Sequence, residues 1–159
     1  MKANRYVAAI VGAALAISFV LPGVVSAQEE DKWRDAFNAY SQRNFSQAET
    51  LFREVCSYYE DQGASWGWCH MMLGATLAQM GISKRQEALA QLEIAKELVA
   101  EDSERYQTHS SIANLYLLDR NWDRAIAAAN DAGPFANAEQ RGLLAKIKGQ
   151  AYYNTQDFA

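Results

Sequence analysis

The segment SQRNFSQA at residues 41–48 returns as LDRNWDRA at residues 118–125. In each copy a polar Arg-Asn break comes before an aromatic residue, and an alanine follows three positions later. The flanking apolar residues recur at spacings of three and four, so each copy predicts two helices joined by a short break. Two copies of one helix-turn-helix unit in a chain of 159 residues indicate a repeat architecture.

The chain after residue 27 continues this helical pattern. Ala, Leu, Gln, Glu, Arg and Lys dominate it, no stretch alternates β-branched residues, and breaks such as Gly81 and Gly133-Pro134 are short. We predict seven helices, at residues 29–42, 46–60, 65–80, 84–100, 103–119, 122–132 and 137–155. Because the connections are short, consecutive helices must pack antiparallel.

Small residues recur at matching places in these helices. They are Ala36, Gly74, Ala113 and Gly149 in the first helices of the hairpins, and Ala48, Ala88 and Ala125 in the second helices. The pattern resembles the tetratricopeptide repeat (TPR) family, in which small residues on both helices of a hairpin allow close contact. The resemblance implies an all-α fold, an α-solenoid of antiparallel helical hairpins with about three divergent repeats and a terminal helix. The spacing of the first-helix residues, 36 to 39 positions, exceeds the TPR period of about 34, and Sel1-like repeats are the nearest alternative.

The N-terminus has the layout of a secretory signal peptide. Lys2 and Arg5 precede an apolar run at residues 6–21, Pro22-Gly23 breaks that run, and Val25-Ser26-Ala27 resembles a cleavage site. An uncleaved membrane anchor is the rival interpretation, but the run is shorter than the ~20 residues that span a bilayer. We therefore expect a signal peptide at residues 1–27 and a periplasmic or secreted TPR-like domain at 28–159, with no membrane span after cleavage.

The composition excludes several classes of function. The net charge is −4, and removing Lys2 and Arg5 with the signal makes it −6, whereas nucleic-acid binding needs clustered basic residues. The chain contains no nucleophile-elbow, P-loop, dinucleotide-binding or zinc-protease motif. We expect neither an enzyme nor a cofactor or metal site, and we interpret His70 and His109 as packing residues.

Cys56 and Cys69 are the only cysteines and lie symmetrically about the Gln62-Gly63 break. If the flanking helices pair antiparallel, both side chains lie about two turns from the bend. An exported protein permits one disulfide there. Two small buried thiols without a bond fit the same positions, so the sequence leaves both alternatives open.

The resemblance also implies a concave binding surface on the first helices. Carried over position by position, it predicts as binding residues Phe37, Tyr40, Trp68, Met71, Asn114, Leu117, Lys146, Gln150 and Tyr153. Aromatic, Met and amide side chains suit an extended peptide or a partner helix. The predicted function is a non-catalytic adaptor or scaffold that binds a protein of the bacterial cell envelope. The alternative is a glycan-associated or peptidoglycan-associated accessory module of an enzyme complex.

Overall fold

The computed structural model describes residues 27–61 and 66–156. Its helices are α1 (Ala27–Ser41), α2 (Phe45–Asp61), α3 (Gly67–Gln79), α4 (Arg85–Leu98), α5 (Asp102–Leu118), α6 (Trp122–Ala132) and α7 (Ala138–Gln156), with 3-10 turns at Ile82–Lys84 and Gly133–Phe135. The described ranges thus contain each of the seven predicted helices, with ends within two residues of the prediction. The proposed signal peptide lies outside the described residues, except for Ala27, where α1 begins.

The helices form an array of antiparallel hairpins, which confirms the predicted fold class. The pairs α1/α2, α3/α4 and α5/α6 make the closest contacts, and α7 packs on α6. Among the first helices, α5 also contacts both α3 and α7, whereas the second helices approach each other less closely. Helices on the inner side of a curved array lie closer together, so we infer that the first helices line the concave side. Within the described ranges, no helix combines the length and the apolar character that crossing a bilayer requires.

The repeated segment forms the same turn in the first and third hairpins. Arg43 and Arg120 both adopt the left-handed conformation, with φ of 61° and 57°. The amide that follows each of them donates to the carbonyl five residues earlier, at 2.8 and 2.9 Å. Asn44 and Asn121 then accept, through Oδ1, the amide three positions later at 3.4 Å. A Schellman motif thus ends each first helix and an Asn cap begins each second helix, which makes residues 36 and 113 structurally equivalent.

The small residues close the helix contacts inside the hairpins. The side chains at 0% exposure include Ala36, Ala48, Ala88, Ala113 and Ala125. At Gly74 an added Cβ would lie 2.7 Å from Cγ of Leu92, so α3 and α4 touch where a side chain has no room. Gly149 is different, because it is exposed and an added Cβ would meet no atom within 4 Å. Gly149 therefore makes no close helix contact in the described part of the chain, which agrees with its place on the terminal helix.

Covalent and ionic links join the first two hairpins. Cys56 on α2 and Cys69 on α3 form a disulfide, with their Cα atoms 5.7 Å apart. Lys84 donates to Glu49 at 2.8 Å, and Arg53 bonds to both Glu49 and Glu87. Hydrogen bonds from Lys84 and then Arg53 hold the pKa of Glu49 below its ordinary value. These groups tie α2 to the second hairpin.

Candidate binding surface

Two rows of equivalent positions run across the first helices on the concave side. The turns that follow α1 and α5 align Phe37 with Asn114 and Tyr40 with Leu117. The spacing of the small residues in the first helices extends one row to Ala75 and Gln150 and the other to Ala78 and Tyr153. Each row therefore has one member on each of α1, α3, α5 and α7. These rows contain most of the predicted binding residues, but the structure exposes them very unequally.

The N-terminal part of the concave side is filled by an aromatic cluster of Trp33, Phe37, Trp66 and Trp68. The rings of Phe37 and Trp68 stack at 5.5 Å with an interplanar angle of 12°. The ring of Trp33 lies 4.1 Å from Trp68 and 4.8 Å from Trp66. Phe37 and Trp68 are consequently half-buried within the cluster. Trp33 was not among the predicted binding residues, although its position four residues before Phe37 places both on one face of α1.

Tyr40 and Met71 belong to the core rather than to the binding surface. Their exposed fractions are 5% and 3%. The Tyr40 ring packs edge-on against Phe45, at 5.7 Å between centroids, and burial raises the pKa of Tyr40. The prediction of a groove role for these two residues is therefore corrected, because both side chains are buried in the hydrophobic core.

The C-terminal part of the concave side is open. Asn114 on α5 and Gln150 on α7 are exposed, Leu117 is half-buried, and Leu118 is 49% exposed. Tyr153 is 69% exposed, which is unusual for an aromatic ring on a folded domain. The accessible candidate surface thus spans α5 and α7. It extends to α3 at Ala75 and Ala78, whose small side chains are half-buried.

Lys146 brings a positive charge to this surface. It is exposed, one turn before Gln150 on α7, and it takes part in an interaction within the chain. Among the predicted binding residues in the described ranges it is the one that carries a charge.

The histidines are engaged in packing and hydrogen bonding. His70 is 4% exposed, and its Nδ1 lies 2.9 Å from Oε1 of Gln91. His109 stacks on Phe135 at 6.1 Å, and burial lowers its pKa. Within residues 27–61 and 66–156, no group of three or more His, Cys, Asp or Glu side chains is placed to hold a metal ion.

No protein-family pattern and no curated protein sequence matches this chain. Among solved structures, the chain is similar to PcrH in the crystal structure of PcrH in complex with the chaperone binding region of PopD, with a TM-score of 0.65 and 17% sequence identity. The similarity covers 87% of this chain and 99% of the other. At this identity the likeness concerns the fold alone, and it supports a TPR-like helical-repeat array.

Proposed function

We propose that this chain is an exported, non-catalytic interaction module that binds a peptide or a partner helix on its concave side. The observation that carries the proposal is the open surface on α5 and α7, where Asn114 and Gln150 are exposed in one row and Tyr153 is exposed in the other. An aromatic ring with neighbouring amides offers both apolar contact and backbone hydrogen bonds, which is the combination that protein interfaces favour.

The structural neighbour supports a protein segment as the occupant. PcrH is solved in complex with the chaperone binding region of PopD. A helical array of similar fold therefore exists in a complex with part of another protein. For the present chain the partner class is a proposal, and its identity is open to experiment.

Export is part of the proposal. The layout of residues 1–27 supports it, and so does the disulfide between Cys56 and Cys69, because structural disulfides persist in oxidising compartments. The partner would then be a protein of the cell envelope. Sequencing the N-terminus of the protein recovered from cells tests this point: export with cleavage predicts a chain that begins at Gln28, and an intact N-terminus would contradict it.

Glycan binding is the second candidate function. The rings of Tyr152 and Tyr153 are 52% and 69% exposed, and exposed aromatic rings beside amides also suit sugar stacking. An accessory module of this kind should sediment with purified peptidoglycan. A protein adaptor should remain in the supernatant.

A pair of neighbouring tyrosines provides a matched test of the concave surface. The full-length chain is expressed with an affinity tag, crosslinked in cells and recovered with its partners. Tyr153→Ala should lower the yield of crosslinked partner by about fivefold, a loss of about 1 kcal/mol. Tyr152→Ala removes the same ring from a position about 100° around the helix and should leave the yield unchanged. Equal yields from the two variants, with unchanged helical circular dichroism, would reject the concave surface as the binding site.

A further inference from the structure

Charge is distributed unevenly over the array. α3 (Gly67–Gln79) contains no Asp, Glu, Lys or Arg, and α5 contains none over residues 106–118. These two helices form the middle of the concave side. Opposite charges elsewhere pair with each other, as in the 2.8 Å contact between Arg85 and Asp119 and the 3.3 Å contact between Lys32 and Glu54. The middle of the concave surface is therefore uncharged although the chain as a whole is acidic.

The polar side chains of this surface are amides with spare hydrogen-bonding capacity. The side chains of Gln107, Asn114 and Gln150 make no hydrogen bond to any residue within 27–61 or 66–156. Each amide offers two N–H donors and a carbonyl acceptor. A peptide backbone presents the complementary groups along its whole length. The amides can therefore hold a backbone without requiring a charge on the partner.

We propose that the concave surface selects a partner segment that carries no charged side chain. The inference rests on the proposed function and specifies its partner. The backbone of the segment bonds to the amides of Asn114 and Gln150, and its apolar side chains lie against Leu117 and Tyr153. A Lys or Glu that lies against α3 or against residues 106–118 of α5 would lose its hydration and meet no opposite charge there, which is a costly form of burial. Lys146 lies at one end of the surface, on α7.

Weak dependence on salt follows from the same arrangement. Binding through ion pairs weakens as salt shortens the range of electrostatic attraction, whereas apolar contacts and hydrogen bonds between neutral groups are little affected. The dissociation constant should change less than about twofold between about 50 mM and about 500 mM NaCl.

Selection from a random peptide library displayed on phage tests the proposal. The probe is the library itself, and the target is the protein purified after expression of the full-length chain. Asn114→Trp blocks the surface, and Ala127→Trp places the same ring on an exposed position of α6 as the matched control. Peptides that bind the concave side should be lost with Asn114→Trp and retained with Ala127→Trp. Their sequences should be depleted in Asp, Glu, Lys and Arg relative to the unselected library.

Single substitutions in the best synthetic peptide sharpen the test. A central Lys or Glu should weaken binding by about tenfold, equivalent to about 1.4 kcal/mol. Asn114→Lys should restore affinity for the Glu peptide but not for the Lys peptide, which a merely damaged fold would not do.

The possible failures are distinguishable. Charged peptides that bind in a salt-dependent way and are lost with Asn114→Trp would refute the selection against charge while leaving the proposed peptide binding intact. No enrichment at all, or enrichment that Asn114→Trp does not change, would refute both. Displacement of the selected peptides by soluble peptidoglycan fragments would assign the uncharged surface to a glycan and overturn the proposal.

Discussion

Two glycines at one repeat position should respond in opposite ways to the same substitution. Gly74 and Gly149 both align with Ala36 and Ala113 in the repeat pattern. In the structure Gly74 is in close contact with Ala88 and Leu92 of α4, whereas an added Cβ at Gly149 on α7 would meet no described atom within 4 Å. We therefore predict that Gly74→Ala destabilises the protein and that Gly149→Ala stabilises it.

The magnitudes follow from the space around each Cα. At Gly74 the new methyl would lie 2.7 Å from Cγ of Leu92 and 3.1 Å from the backbone oxygen of Ala88. Overpacking of this kind costs about 1–3 kcal/mol, and the higher helix propensity of Ala returns about 1 kcal/mol. The expected net effect is a loss of about 1 kcal/mol. At Gly149 there is no steric cost, so only the higher helix propensity of Ala acts. It should raise the unfolding free energy by about 0.5–1 kcal/mol.

Urea unfolding followed by circular dichroism measures both changes on the full-length chain with its disulfide intact. The two variants should differ from each other by about 2 kcal/mol in unfolding free energy. Thermal midpoints should differ by several degrees in the same direction. If both variants gain stability equally, the close contact between α3 and α4 is refuted. If Gly149→Ala loses stability, the open position of Gly149 is refuted.

Three further predictions concern buried and strained groups. Thr108 Oγ1 is buried without a partner in the described part of the chain, so Thr108→Val should raise the unfolding free energy by about 1 kcal/mol; Thr76→Val, which removes a 2.7 Å bond from an equally buried hydroxyl, should not raise it in the same urea titration. Arg43→Gly and Arg120→Gly should each add about 0.5 kcal/mol, because glycine adopts positive φ without the penalty of a side chain; Ala at the same positions should give no gain. Reducing the disulfide between α2 and α3 should cost about 3 kcal/mol by the loop-entropy estimate, and a thiol count of two in the unreduced, denatured protein would contradict the bond.

The fold was predictable because repeat proteins are specified by local patterns. Residues 41–48 and 118–125 each contain the left-handed Arg, the Asn cap and a small alanine within eight positions. Both segments form the same turn in the structure. Helix ends follow from such local signals, which explains their agreement with the prediction. The two 3-10 turns, at Ile82–Lys84 and Gly133–Phe135, were not predicted.

Exposure of the binding residues was less predictable, because it depends on neighbours distant in sequence. Tyr40 and Leu117 occupy equivalent positions, yet Tyr40 is 5% exposed and Leu117 is only half-buried. The difference arises from the side chains around them: Phe45 packs on the ring of Tyr40. A repeat alignment assigns a position to a surface, and only the packing of adjacent helices decides whether that surface is accessible.

The two ends of the array differ in what stabilises them. The first two hairpins are held by a disulfide, the aromatic cluster and the ionic links around Glu49. The buried side chains of α6 are four alanines, which remove little apolar area from water. In a linear array, stability is a sum of local terms, so we expect the α5 to α7 end, where α6 buries alanines, to be its less stable part. The open concave surface lies on these same helices. Segments of low stability change conformation most readily when a partner binds. A partner that binds there would therefore gain contacts and tighten the packing of α5 to α7 together, while the N-terminal hairpins act as the rigid support.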